Sequence, residues 1–148
     1  MSSTASANGD ATRRRLTAAE RTELVMRPLI GVFSSLSPAG WIHSVPVHFL
    51  YRDGQIRILG GTDSVKARNV EHAGRSTLCV HVADESDRRY VSVEGPTVVQ
   101  RPATPDDIGA LDRRYGRSES GQWSDDDYAA SAILVLSPDR WIGWADWG

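Results

Sequence analysis

The chain has 148 residues, 17 of them Lys or Arg and 19 Asp or Glu, for a formal charge of −2. That length holds one domain with a real core, and the charge balance excludes a general nucleic-acid binder while leaving room for a local phosphate site. Its single cysteine, Cys79, excludes a disulfide framework and a cysteine-rich metal site; no apolar run approaches the roughly 18 to 20 residues of a membrane span, no signal-peptide core is recognised, and the expected location is cytoplasmic.

Residues 1–15 are small, polar and then basic (Arg13, Arg14, Arg15), and read as a disordered, solvated tail; residues 16–148 read as one domain. Thr17-Ala18-Ala19-Glu20 has the spacing of a capping box and predicts a helix over 18–26, stopped by Pro28. A strand is predicted over 29–35, a turn at Ser37-Pro38-Ala39-Gly40, and a long strand over 41–51. On that strand Val45, Val47, Phe49 and Tyr51 share one face, with Ser44, Pro46 and His48 on the other. Pro46 implies an edge, a bulge or a missing ladder bond. Asp53-Gly54 makes a hairpin turn into a strand over 55–59.

The next stretch organises the chain. The strand ends in Gly60-Gly61, and the polar loop Thr62-Asp63-Ser64 enters a short helix carrying Lys66, Arg68, Asn69 and Val70 and ended by Gly74. Polar donors at a helix start directly after a strand suit an anion or phosphate. Lys66 is also the only lysine in the chain. On this helix Arg68 has the spacing to pair with Glu71 or His72.

A strand over 77–82 follows, then a charged turn at 84–87 and a strand over 89–99. There Gly95-Pro96 interrupts the pattern as an expected bulge, and Glu94 has the outward parity. Thr104-Pro105 opens a helix with Ile108, Leu111 and Tyr115 as its apolar stripe. Residues 116–122 read as a flexible loop, Ser124-Asp125-Asp126-Asp127 as a helix cap, and 132–136 and 141–144 as the last strands, with Trp141, Trp144 and Trp147 recurring at every third position. Six or seven strands, hairpin-length turns and few helices predict a mainly β, antiparallel barrel and exclude a doubly wound sheet.

Chemistry concentrates on Ser64, Lys66, Arg68 and Asn69: a hydroxyl, a mobile point charge, a planar fork and an orienting amide. The spacing matches neither a P-loop nor a dinucleotide fingerprint. His43, His48, His72 and His81 have no metal spacing, so no metal is expected, and no serine stands in a nucleophile elbow. Cys79 reads as a buried small hydrophobe.

The segment ILGGTDSVKARNVEHAGRSTLCV, followed by YVSVEGPTVV and later by QWSDDDYAASAILVLSPDRWIGW, resembles the pyridoxamine 5'-phosphate oxidase-like split β-barrel flavoproteins, and within them the small actinobacterial branch that binds the deazaflavin F420. The resemblance runs from about residue 29 to the C-terminus. It implies a split antiparallel barrel and a homodimer with cofactor sites in grooves between subunits. It implies that Ser64, Lys66, Arg68 and Asn69 grip the cofactor phosphate. His43, Pro46, Val47 and His48 would line the ring with Gly61 and Thr62, and Trp141 would approach the ring or substrate. The strand from Tyr90 would help from the second subunit, and Arg13–Arg15 or Arg101 would meet the longer acidic tail of F420. The implied activity is an F420H2-dependent reductase passing hydride to a small or planar organic substrate, with no catalytic residue assigned. FMN is the alternative cofactor, and an F420-binding protein without substantial turnover the alternative function.

Overall fold

The computed structural model describes residues 13–117 and 123–146. The first twelve residues of the predicted tail, positions 118–122 of the predicted loop and Trp147 lie outside them. Nine strands and four helices are formed among the described residues. In chain order they are β1 (Arg14–Arg15), α1 (Ala18–Met26), β2 (Gly31–Leu36), β3 (Ile42–Val47), β4 (Phe49–Arg52), β5 (Gln55–Gly61), α2 (Val65–Ala73), β6 (Arg75–Ala83), β7 (Arg88–Gln100), α3 (Pro105–Arg114), α4 (Asp125–Ala129), β8 (Ser131–Leu136) and β9 (Arg140–Ala145).

All the pairings are antiparallel, in the order β3-β2-β6-β7-β8-β5-β4, with β9 on β7 and β1 on β9. The two ends of that order, β3 and β4, are separated in sequence by His48 alone. One residue bridges only a few ångströms, so the sheet must curl until its ends meet. No β3–β4 ladder closes it, and the result is a split antiparallel barrel. Its interior takes every second residue: Phe33, Phe49, Ile56, Ile58, Leu78, Val91, Val93, Leu134 and Leu136 form one core, joined by Leu24 and Val25 of α1 and Val70 of α2.

The capping box forms as predicted: the Thr17 hydroxyl accepts from Glu20 N–H, and the Glu20 carboxylate accepts from Thr17 N–H. The Asp53-Gly54 turn takes positive φ at both positions, 54° and 76°, the twist that a two-residue hairpin needs. The expected strand over 41–51 is broken at His48, because its two halves pair with different neighbours: β3 with β2, and β4 with β5. Pro46 lies on the edge strand, where its missing N–H costs no interior ladder bond. The extra strands relative to the expected six or seven come from this break and from β1, which pairs Arg14 with Ala145 and Arg15 with Trp144. The described strands therefore begin ahead of residue 16. Both Arg13 and Arg15 lie 5.0 Å from the Trp144 ring, and Arg14 pairs with Glu20.

There is no bulge at Gly95-Pro96. Register with β6 is continuous from Arg88 to Pro96. What changes is the other neighbour, which is β9 along Arg89–Glu94 and β8 from Thr97 onward.

Beside the β3–β4 break, α3 and its C-cap clasp β4 to the segment ahead of β2, and Arg57 docks α3 onto β5 through Asp107 (2.9 and 3.2 Å). The Tyr115 hydroxyl accepts from Phe49 N–H (3.0 Å) and faces the carbonyls of Leu29 (2.8 Å) and Phe49 (3.1 Å), to which it donates. Arg114 donates to the carbonyls of Val25, Met26 and Arg27, which end α1. Tyr115→Phe should cost about 1–3 kcal/mol, because part-buried backbone groups lose their partner. Urea unfolding measures it; a loss below about 0.5 kcal/mol would show the clasp to be dispensable.

Candidate functional site

The turn from β5 into α2 gathers most of the predicted residues. Ser64 caps the helix: its hydroxyl accepts from Ala67 N–H (3.2 Å), its carbonyl accepts from Arg68 N–H (3.0 Å), and its own N–H donates to Gly61 (3.1 Å). Helix geometry leaves the N–H groups of Val65 and Lys66 without intrahelical acceptors.

Lys66 folds back over the strand. A Cβ on Gly60 would stand 2.8 Å from its Cε and 3.3 Å from its Nζ, so the glycine makes room for the lysine stem. The amine has no ion pair or hydrogen bond among the described residues. Burial pushes its pKa below the ordinary lysine value. Arg68 is exposed one turn from the cap. Glu71, one of its two expected partners, pairs instead with Arg101. Arg101 also donates to the Thr62 hydroxyl (2.5 Å) and the Thr62 carbonyl (2.8 Å), pinning the loop from outside.

Asn69 is buried, at 3% exposure, and donates to the Ser35 hydroxyl (3.2 Å). It ties α2 to β2 instead of facing solvent. Ser35 lies opposite His43 in the β2–β3 ladder, so the two share a face. The His43 Nδ1 is buried with no partner among the described residues. Glu94 lies on the opposite face of the same sheet and pairs with Arg140 (2.9 Å). Val47 belongs to the core, while Pro46 is exposed on the edge. His48 stacks on Tyr115 at the seam (4.1 Å, 20°), and burial, with Arg117 adding repulsion, lowers its pKa. Trp141 lies on the α1 side, edge-on to Tyr51 (5.9 Å) and under Arg21 (6.0 Å).

Gly61, Thr62, Ser64, Lys66 and Arg68 thus share one strand–loop–helix turn. Asn69 and His43 meet through Ser35, and His48 and Trp141 belong to other regions. Among the described residues no three metal-ligating side chains cluster. An unpaired amine, an exposed guanidinium, two free N–H groups and two glycines fit an oxyanion such as a phosphate ester. Asp63, the carboxylate in the loop, is exposed to solvent. Sequence reasoning missed the parts played by Gly60 and Ser35; the Gly-Gly pair ahead of the only lysine was the available signal.

Residues 17–145 match the family model described as Pyridoxamine 5'-phosphate oxidase. No curated protein sequence matches. Among solved structures, one described as an F420 reductase is 25% identical, with a TM-score of 0.66 over 80% of this chain and 93% of its own. A conserved hypothetical protein from Mycobacterium tuberculosis is 19% identical, with a TM-score of 0.71 over 88% of this chain and 86% of its own. A FAD-binding protein from Mesorhizobium loti is 17% identical, with a TM-score of 0.64 over 90% and 97%. With nearly its whole described length matched to one family model, the chain belongs to the pyridoxamine 5'-phosphate oxidase family.

Proposed function

We propose that this protein is an F420-dependent oxidoreductase that reduces a small or planar organic substrate. The observation that carries the reading is Lys66, a half-buried amine with no counter-ion among the described residues, at the start of α2, in a chain similar to an F420 reductase. Ser64, Lys66, Arg68 and the free N–H groups of α2 hold the cofactor phosphate. Gly61 and Thr62 flank the ring, Gly61 with no side chain to obstruct it, and His43, its Nδ1 without a partner among the described residues, borders it. The cofactor, when bound, supplies the hydride; the chain positions it and excludes water, and needs no nucleophile of its own.

A second copy of the chain completes the site in this reading. Ladder register lines up Trp144, Tyr90 and His81 on the outward face of β9, β7 and β6. The next row on that face carries Ile142, Ser92, Cys79, Val32 and Pro46. Cys79 is half-buried there, its thiol pKa raised by burial. So apolar and aromatic an outer face suits a homodimer interface. The proposed setting is the cytoplasm.

FMN is the second reading, since the same donors fit its phosphate and a FAD-binding protein shares the fold. Side-by-side fluorescence titrations with F420 and FMN test the choice, with tighter F420 binding expected. Oxidation of reduced F420 dependent on added substrate then separates a reductase from a binding protein. Failure to bind either cofactor at millimolar concentration would end the reading.

A further inference from the structure

The ladder between β2 and β6 stops at Ser34 and Thr77, although both strands continue in sequence. Beyond that pair β2 follows β3 to Leu36, opposite Ile42, while β6 follows β7 back to Arg75, opposite Pro96. The strands splay, and a cleft of about 660 Å³ opens between Ser35 and Leu36 on one side and Arg75 and Ser76 on the other. That volume suits a small organic molecule.

The cleft has a polar floor and an apolar lip. Ser35 and Ser76 are buried, at 4% and 6% exposure. Ser35 accepts from Asn69, which leaves its own O–H proton free to donate. Thr97 donates to the Gly95 carbonyl (3.1 Å), so the Ser76 proton goes to Thr97 (2.6 Å) and the Ser76 oxygen is left as an acceptor. Leu36 and Ile42 form the lip and are 43% and 73% exposed. The charged wall residues are already satisfied: Arg75 by Asp139 (3.1 Å), Glu94 by Arg140 (2.9 Å). The wall thus offers no uncompensated charge to an ion.

We propose that this cleft is a second small-molecule site, separate from the phosphate cluster, and that it takes a neutral, flat molecule with a carbonyl or nitro acceptor for Ser35 and a hydroxyl donor for Ser76. Ala73, at the far end of α2 from Ser64, lines it. A nine-residue helix is about 13 Å long, which sets the Ser64 cap and the cleft about that far apart; Ser35, on the cleft floor, lies opposite His43 in the β2–β3 ladder, and His43 is the residue proposed to border the cofactor ring. In the proposed oxidoreductase the cleft receives the molecule to be reduced. Only this last role rests on the proposed oxidoreductase reading; the binding does not.

The test uses 4-hydroxyacetophenone as probe, acetophenone as the comparator without the donor, and 4-hydroxybenzoate as the anionic comparator. Binding to the full-length chain is read by calorimetry and saturation-transfer NMR, with no cofactor present. The phenol should bind roughly fivefold more tightly than acetophenone, the worth of one hydrogen bond, and more tightly than the anion. Thr77→Trp fills the cleft and should abolish binding. Ile42→Ser, at a position too exposed to threaten folding, should weaken it severalfold. F420 titrations should be the same in both variants as in the parent. The proposal is overturned by absence of probe binding, by equal binding to parent and Ile42→Ser, or by a loss of F420 affinity in Ile42→Ser, which would make the cleft part of the cofactor seat. Failure of the parent to bind F420 and FMN would remove the oxidoreductase reading instead, and the probe titration would still decide the cleft.

Discussion

Lys66→Ala should weaken F420 binding by roughly 10- to 100-fold, the worth of one charge-assisted hydrogen bond, and should leave the protein folded. The lysine stem lies over Gly60 and the amine holds no described partner, so truncation breaks no internal bond. Burial also makes the charged amine unfavourable to the fold: its pKa is lowered from 10.5. The sign follows. Below the folded pKa the charged amine costs stability; the cost fades as pH rises toward the unfolded value and is gone above it. An anion beside the amine reverses the balance, because it favours the charged form. F420 affinity should therefore fall as pH rises through the lowered pKa, and that step should be missing in Lys66→Ala. Equal affinities for parent and variant across the pH range would remove Lys66 from the grip.

Gly95→Ala should be the most damaging single-methyl change, costing about 3 kcal/mol or more. A Cβ there would stand 2.0 Å from the Ser137 carbonyl oxygen and 3.0 Å from Asp139 N. These are backbone atoms and no rotamer can relieve them. The β8–β9 turn is seated by two bonds onto the same stretch, Ser137 N–H to the Pro96 carbonyl (2.9 Å) and Asp139 N–H to the Glu94 carbonyl (3.0 Å). Any shift that admits the methyl strains both at the point where β7 changes neighbour. Thermal unfolding by circular dichroism measures the loss; a variant within about 1 kcal/mol of the parent would mean the turn moves freely.

Local chemistry was readable where local chemistry decides the structure. Thr17 and Glu20 stand three residues apart and cap as their spacing requires. Asp53-Gly54 bends as a two-residue hairpin, and Ser64 and Gly74 bound α2 at the predicted positions. What escaped was decided by partners far away in sequence. His48 reads as strand because alternation continues through it; the break comes from β3 and β4 belonging to opposite ends of the sheet. Asn69 looked like a ligand-facing amide, and its burial on Ser35 depends on a strand 34 positions earlier. Glu71 had Arg68 at helical spacing, yet Arg101, 30 residues on, took it. Gly95 read as a bulge because sequence shows the glycine and not the turn that presses on it. In the candidate site, the cap, lysine and glycines were legible from one contiguous stretch; Arg101 and Ser35 come from elsewhere in the chain.

The clasp at Tyr115 has a consequence for the order of events during synthesis. Its hydroxyl joins positions 66 and 86 residues apart, so nothing made before residue 115 can shut the seam. Until β8 (Ser131–Leu136) is made as well, β3-β2-β6-β7 and β5-β4 are two separate ladders, and closing such distant contacts is slow. The free edges of β3, β7, β5 and β4 are where a ribosome-bound chain is open to wrong pairing, and a chaperone would find its handhold there.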